Sequence, residues 1–208
     1  MKYEKEYFDW QKVVGSFGGK VNKSKFEGCI KKEDVVVDFG SGGGYLLKNI
    51  VCSKKVGIEV NAIAREEAKN NGVNSVEKID EIEDNYADVI ISNHALEHVE
   101  CPLDILKRLY LKLKTNGKIV FITPHDEPNK KYNPEDVNHH LYTWDRQSLG
   151  NLFKEAGFRD IEVYNIRSKW PRNYLKIYNI FGSSFFNFLC YLYALLKKNY
   201  QIKIIAKK

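Results

Sequence analysis

The alternation of apolar and polar positions along the 208 residues divides the chain into short apolar runs separated by stretches of helical repeat. The run "VVVDF" at 35–39 is apolar at nearly every position and reads as a strand buried on both faces. "KKVGIEV" (54–60), "ADVIISN" (87–93) and "GKIVFITP" (117–124) repeat the pattern, and Pro124 stops the last of them. "FRDIEVYNI" (158–166) and "YQIKIIAK" (200–207) are two further strands. The connecting segments read as helices. "YLLKNI" follows a glycine cluster, "NAIAREEAKNN" mixes small, charged and apolar residues, and "LDILKRLYLKLK" (103–114) spaces its leucines by three and four. "DRQSLGNLFKEAG" (145–157) has Asp145 as N-cap and Gly157 as terminator. At the amino end Tyr3, Tyr7, Phe8 and Trp10 share a helical face, which the glycines between 15 and 19 are expected to break. Strands alternating with helices predict an α/β fold with a largely parallel sheet covered on both faces. Such sheets bind ligands beyond the carboxyl ends of their strands.

Composition narrows the class. With 43% hydrophobic and 29% charged residues, the chain is expected to form one domain over residues 1–208. The 33 Lys and Arg exceed the 27 Asp and Glu by six, but the lysines alternate with acids, as in "KYEKEY", which is the pattern of a solvated surface. No nucleic-acid partner is expected, because no concentrated basic patch or base-stacking module is visible. Cys29, Cys52, Cys101 and Cys190 form no C-x-x-C pair and read as reduced thiols of a cytoplasmic protein. The charged amino end lacks the apolar core of an export signal.

The stretch "VVVDFGSGGG" (35–44) carries the first chemistry. A strand turning directly into a helix leaves backbone N–H groups unpaired, and Gly40, Gly42 and Gly44 let a ligand approach them without a Cβ in the way. The loop lacks the Gly-Lys-Ser/Thr ending of a nucleotide-triphosphate site. Glu59, 21 residues beyond Asp38, is placed to accept ribose hydroxyls at the end of the second strand. Asp38 would repel a pyrophosphate, whereas it can organise an ammonium group. S-adenosylmethionine has an ammonium group, a ribose and no phosphate.

Asp-x-Gly-x-Gly-x-Gly at Asp38, Gly40, Gly42 and Gly44, with Glu59 after the second strand, resembles the cofactor site of class I S-adenosylmethionine-dependent methyltransferases. "YADVIISNHALEHVECPLDILKRLYLKLKTNGKIVFITP" (86–124) is similar to the corresponding block of their small-molecule branch, which includes the ubiquinone-biosynthesis type enzymes. The similarity spans roughly residues 33–160. It implies a Rossmann-like fold with a mostly parallel seven-stranded sheet. It also implies a cofactor loop of Asp38, Gly40, Ser41, Gly42 and Gly44, with Glu59 on the ribose and Val60 beside the adenine. Ile79 would lie against the ring and Asp80 at its amino group, while Asn93 and His94 would face the methionine part. Residues 1–34 then form a helical cap, and 168–199 an apolar helical insertion before the last strand. The acceptor is expected to be a small or lipid-linked molecule, methylated on a hydroxyl or carboxylate oxygen. Two alternatives stand beside this: an NAD-dependent oxidoreductase or epimerase, and a cofactor-binding protein without turnover.

All five histidines follow a strand or lie in the next loop. If the acceptor must lose a proton, His94, His125 and His139 are the candidate bases. A carboxylate acceptor needs none. Glu97, His98 and a histidine of "NHHLYTW" can meet above the sheet, but the spacing is not that of an H-E-x-x-H zinc site, and no metal is assigned. Residues 125–145 form a long polar segment after a strand, which points to a loop facing the substrate. His140, Tyr142 and Trp144 fit the outline of related enzymes there, while His125 replaces their more usual asparagine after the proline.

The segment 174–200 is too apolar for a plain connector. Asn179, Ser183, Asn187, Tyr191 and Ala194 trace a narrow stripe, leaving a broad face that includes Ile180, Phe181, Phe185, Phe188 and Leu192. Residues 174–198 must therefore pack as a lid on the domain, contact a membrane peripherally or form a homodimer face.

Overall fold

The computed structural model describes residues 5–125 and 131–208, with side chains from residue 14 onward. The aromatic face expected at Tyr3, Tyr7, Phe8 and Trp10 lies outside the described side chains. Helix α1 (Lys5–Asn22) precedes β1 (Val35–Phe39), and α2 (Tyr45–Asn49) leads to β2 (Lys54–Ile58). Then come α3 (Ala62–Asn70), β3 (Asn74–Val76), β4 (Ala87–Asn93), α4 (Pro102–Lys112) and β5 (Leu113–Pro124). The chain continues through α5 (Arg146–Glu155), β6 (Arg159–Ile166), α6 (Tyr174–Leu196) and β7 (Gln201–Lys207). The strands form a 7-stranded sheet in the order β3-β2-β1-β4-β5-β7-β6. All neighbours are parallel except β7, which runs antiparallel to both β5 and β6.

The period of two along each strand builds two cores. Val37, Ile90, Ile119 and Phe121 face Leu106 and Leu109 of α4 and Leu149 and Phe153 of α5. Val36, Ile91, Val120 and Ile122 face Leu46 and Leu47 of α2 and Ala68 of α3. Parallel pairing sets Asp38 opposite Gly57 on one side and Ile91 on the other, so β1 and β4 end beside each other. That adjacency brings the glycine loop next to Asn93.

Several boundaries differ from the sequence pattern for physical reasons. Helix α1 runs through the glycines instead of breaking there. A Cβ at Gly15 would sit 2.7 Å from the Tyr45 ring, and one at Gly19 would collide with the Tyr45 backbone, so these glycines let α1 press onto the start of α2. Strand β5 begins at Leu113 rather than 117, pairing Leu113 with Ala87 before a register shift. Asn116, with φ 64, takes the irregularity. The edge strand β3 has only three residues and left no periodic signal.

Helix α6 also departs from its expected faces. The buried residues are Phe186, Cys190 and Ala194, not the side opposite the polar stripe. Phe186 joins Phe17 of α1, with Trp170, Tyr174 and Tyr178 packed around them. The Phe17 ring stands edge-on to Phe186 at 5.5 Å and to Trp170 at 5.1 Å. Gly182 interrupts the helix with φ 74.

Candidate functional site

The loop after β1 is held by its own backbone. The N–H groups of Gly40 and Ser41 both donate to Ile58 O, at 2.9 and 3.1 Å. Gly40 and Gly42 take left-handed φ values of 73 and 51, which glycine adopts without strain. They serve different ends. A Cβ at Gly40 would strike Ala95, whereas at Gly42 nothing lies within 4 Å, so the Gly42 backbone is open to a ligand. Glu59, just past β2, accepts from the Gly42 N–H at Oε2 and from the Asn61 N–H at Oε1, both at 2.8 Å. The carboxylate thus ties the loop to the end of the second strand.

Beside this loop lies a cavity of about 560 Å³. One wall is Asp38, Gly40, Ser41, Gly42, Gly43, Asn93 and His94. The other part of the lining comes from four separate segments: Gly15, Gly18 and Gly19 of α1 with Lys25 after it, Asn138 and His140, Ser168 to Trp170, and Asn199 with Gln201. Asp38 is only 2% exposed. Burial raises its carboxyl well above the usual range, and the nearby Glu59 adds to the rise. Ser41 Oγ and Asn93 Oδ1 are buried with no hydrogen-bond partner among the described residues. Buried polar atoms of this kind are costly in a folded chain, and here both belong to residues that line the cavity.

His94 follows β4 in a left-handed conformation, φ 60, with its N–H donating to Ile122 O at 2.9 Å. Burial pushes its ring down to about 3, and Lys25 and His140 push the same way, so the imidazole is neutral at physiological pH. The Gln201 side chain opposes this shift by favouring the charged ring. Lys25 Nζ donates to Gln201 Oε1 at 2.8 Å. Burial lowers the Lys25 ammonium to about 7, against a smaller opposing pull from Cys190. Gln201 therefore acts on both a neutral histidine and a lysine poised to give up its proton. The sequence offered no motif for Lys25 or Gln201. The only local signal is that Gln201 opens the last strand.

Glu97 is fully buried, with His94 Nδ1 at 3.8 Å and His98 Nε2 at 3.9 Å from its Oε1. Glu97, His98 and His140 bring one ligand atom each to within 4.8 Å of one another, as the sequence allowed. The His98 and His140 rings meet edge-on at 5.0 Å. Burial lowers the His98 ring, and His140 adds to that.

Not every expected site residue reaches the cavity. Gly44 is buried at the start of α2, where a Cβ would sit 3.0 Å from Val73. Glu59, bonded to the Gly42 N–H, and the 68% exposed Val60 do not line the cavity. Ile79 is packed in the core with Ile58 and Ile82, and Asp80 pairs with Arg108 at 2.8 Å. His125 stacks on Tyr200 at 4.3 Å with its Nδ1 3.0 Å from Trp144 O, and His139 is exposed. Neither histidine lines the cavity, whereas His140 does.

A glycine loop, an acid past the second strand and an antiparallel β7 inserted before β6 now stand together. A model of the methyltransferase domain family matches residues 20–163. The chain belongs to this family. It is an S-adenosylmethionine-dependent methyltransferase with S-adenosylmethionine as its cofactor. No curated protein sequence matches the methyltransferase. Solved structures do. A SAM-dependent methyltransferase from Archaeoglobus fulgidus superposes with a TM-score of 0.67 at 20% identity, covering 99% of this chain and 100% of that one. A SAM-dependent methyltransferase from Thermotoga maritima, described as a possible histamine N-methyltransferase, gives 0.70 at 18% identity over 99% and 96%. A Haloferax volcanii methyltransferase, solved with the Trm112 methyltransferase activator, gives 0.70 at 15% identity over 99% of both chains. At these identities the likeness is one of fold, and it includes the Rossmann-like seven-stranded sheet.

Proposed function

We propose that the methyltransferase acts on an oxygen, hydroxyl or carboxylate, of a small-molecule or lipid-linked acceptor. One observation carries this reading: the buried Asp38 and Asn93 share a cavity with Lys25, Gln201 and His94. The resemblance of residues 86–124 to the ubiquinone-biosynthesis type enzymes supports the same acceptor class.

The residues present fit S-adenosylmethionine. Asp38 would accept from its ammonium group, the open Gly42 backbone would allow close approach, and Glu59 would receive the ribose hydroxyls with lone pairs beyond those held by Gly42 and Asn61. By the family resemblance Val60 would lie at the adenine edge, Ile79 against the ring and Asp80, paired with Arg108, at the amino group. The cofactor supplies a methyl group already activated by its sulfonium. The protein's share is alignment and, for a hydroxyl acceptor, removal of a proton. His94 stays neutral and so does not repel a cationic donor. Lys25, at about 7, takes the acceptor proton in its amine form while still donating to Gln201. His125 and His139 are not given this step, since neither lines the cavity among the described residues.

Methyl transfer from isotopically labelled S-adenosylmethionine to phenolic, aliphatic hydroxyl and carboxylate acceptors tests the proposal. Labelled ether or ester is expected, with turnover on a hydroxyl rising through about pH 7 as Lys25 loses its proton. Label appearing only on nitrogen or carbon acceptors would defeat it.

A further inference from the structure

Helix α6 carries an apolar face that no described part of the protein covers. Its inner side, Phe186, Cys190 and Ala194, is buried against α1 and its surroundings. Its outer side exposes Ile180, Phe181, Phe185 and Phe188, with Phe181 at 57% and Phe188 at 56%. Contiguous aromatic and aliphatic exposure on this scale marks an interaction surface.

Charge selects the partner. Residues 163–208 contain nine Lys and Arg and no Asp or Glu, whereas the preceding 162 residues carry 24 basic side chains against 27 acidic. Exposed Arg172 and Lys176 stand at one end of the apolar face, and exposed Lys197 and Lys198 at the other. An apolar face bracketed by cations matches an anionic bilayer interface. A two-fold pairing of α6 with a second copy would set these cations against one another with no acid on the helix to offset them.

Topology fixes the orientation. Helix α6 has 23 residues and is long and apolar enough by composition to cross a membrane. It nevertheless joins β6 and β7, which pair from Ile166 opposite Gln201 onward, and its inner side is fixed on α1. A crossing helix would put those paired strands on opposite sides of the bilayer, so α6 can only lie flat. Both flanks of the helix also reach the cavity, through Lys169 and Trp170 before it and Asn199 after it.

The geometry points to α6 as a docking surface for an anionic lipid bilayer, with Phe181, Phe185 and Phe188 at the acyl boundary and Arg172, Lys176, Lys197 and Lys198 among the headgroups. Docked this way, the rim of the cavity formed by 168–170 faces the lipid, and the acceptor enters from the membrane. This last clause rests on the methyl-transfer reading, and the docking itself does not.

Flotation of the full chain with phosphatidylcholine vesicles, with and without phosphatidylglycerol, tests the surface. The protein is expected to float with phosphatidylglycerol vesicles and to partition at least about tenfold less onto phosphatidylcholine alone. F181S/F185S/F188S and K197E/K198E should each lose about tenfold or more on the anionic vesicles while binding S-adenosylmethionine as wild type does, since none of these side chains lines the cavity. Absence of flotation would overturn the proposal, as would equal binding to both vesicle types. A wild-type dimer that F181S/F185S/F188S makes monomeric, without vesicle binding, would reassign the face to a second copy. Vesicle binding without cofactor binding would leave the docking surface standing and remove the methyl-transfer reading.

Discussion

The two walls of the cavity are built in opposite ways. The wall proposed for the methyl donor, the donor wall, is nearly continuous in sequence, running from Asp38 through the glycine loop, with Asn93 supplied by the adjacent strand. Backbone hydrogen bonds to Ile58 and the Glu59 carboxylate hold it. The other wall gathers Lys25, His140, Trp170 and Gln201 from four distant segments, and it depends on α1 and α6 packing together through Phe17 and Phe186. A wall made of local backbone is specified by a short motif. A wall made of side chains from remote segments is specified only by the completed fold, and that is where a family sharing one cofactor can vary its acceptor.

Substitutions on the two walls should separate accordingly. The largest effect is expected from Lys25→Met with a hydroxyl acceptor: turnover falls about a hundredfold or more, and the rise of rate through about pH 7 disappears, while cofactor affinity holds. A pH-rate profile of wild type and variant checks this, and an unchanged profile would take Lys25 out of proton transfer. On the donor wall, Asp38→Asn should weaken S-adenosylmethionine binding by about 10- to 100-fold, measured by titration. The same change should stabilise the ligand-free fold. A carboxyl whose pKa is raised on folding costs stability as pH climbs from its unfolded value through its folded one, and Asn removes that cost at neutral pH. Denaturant midpoints at neutral and acidic pH should therefore differ more for wild type than for the variant.

Glu59→Ala is expected to cost about tenfold in cofactor affinity, because it removes both the proposed ribose contact and the anchor on the Gly42 N–H. The smallest effect belongs to His139→Ala. That exposed residue lies outside the cavity, so kcat and cofactor affinity should stay within about twofold of wild type. A large loss there would mean that the 138–140 segment closes over the acceptor with a different face inward.

The same contrast explains what could be read in advance. Strand β4 falls on the expected residues 87–93, and Asp145 caps α5 by accepting from the Ser148 N–H at 2.7 Å, because apolar runs and capping residues act locally. The turn of the glycine loop between β1 and α2 was legible for the same reason. Lys25 and Gln201 were not, since nothing near either residue in sequence foretells that they meet 176 positions apart. The glycines of α1 looked like breakers because their value lies in a contact with Tyr45, which no periodicity reports. Similarly, the α6 pattern announced excess apolar surface but not which side would be buried, because Phe17 of α1 decides that.

The most direct test of the account is calorimetric titration of the full chain with S-adenosylmethionine and S-adenosylhomocysteine, across a pH series and with NAD as control. Both sulfur compounds should bind and NAD should not. Affinity should rise with pH, since a ligand ammonium selects the ionised form of an Asp38 whose ligand-free pKa is raised. Binding of NAD alone, or cofactor binding that neither Asp38→Asn nor pH affects, would contradict the assignment of the donor wall.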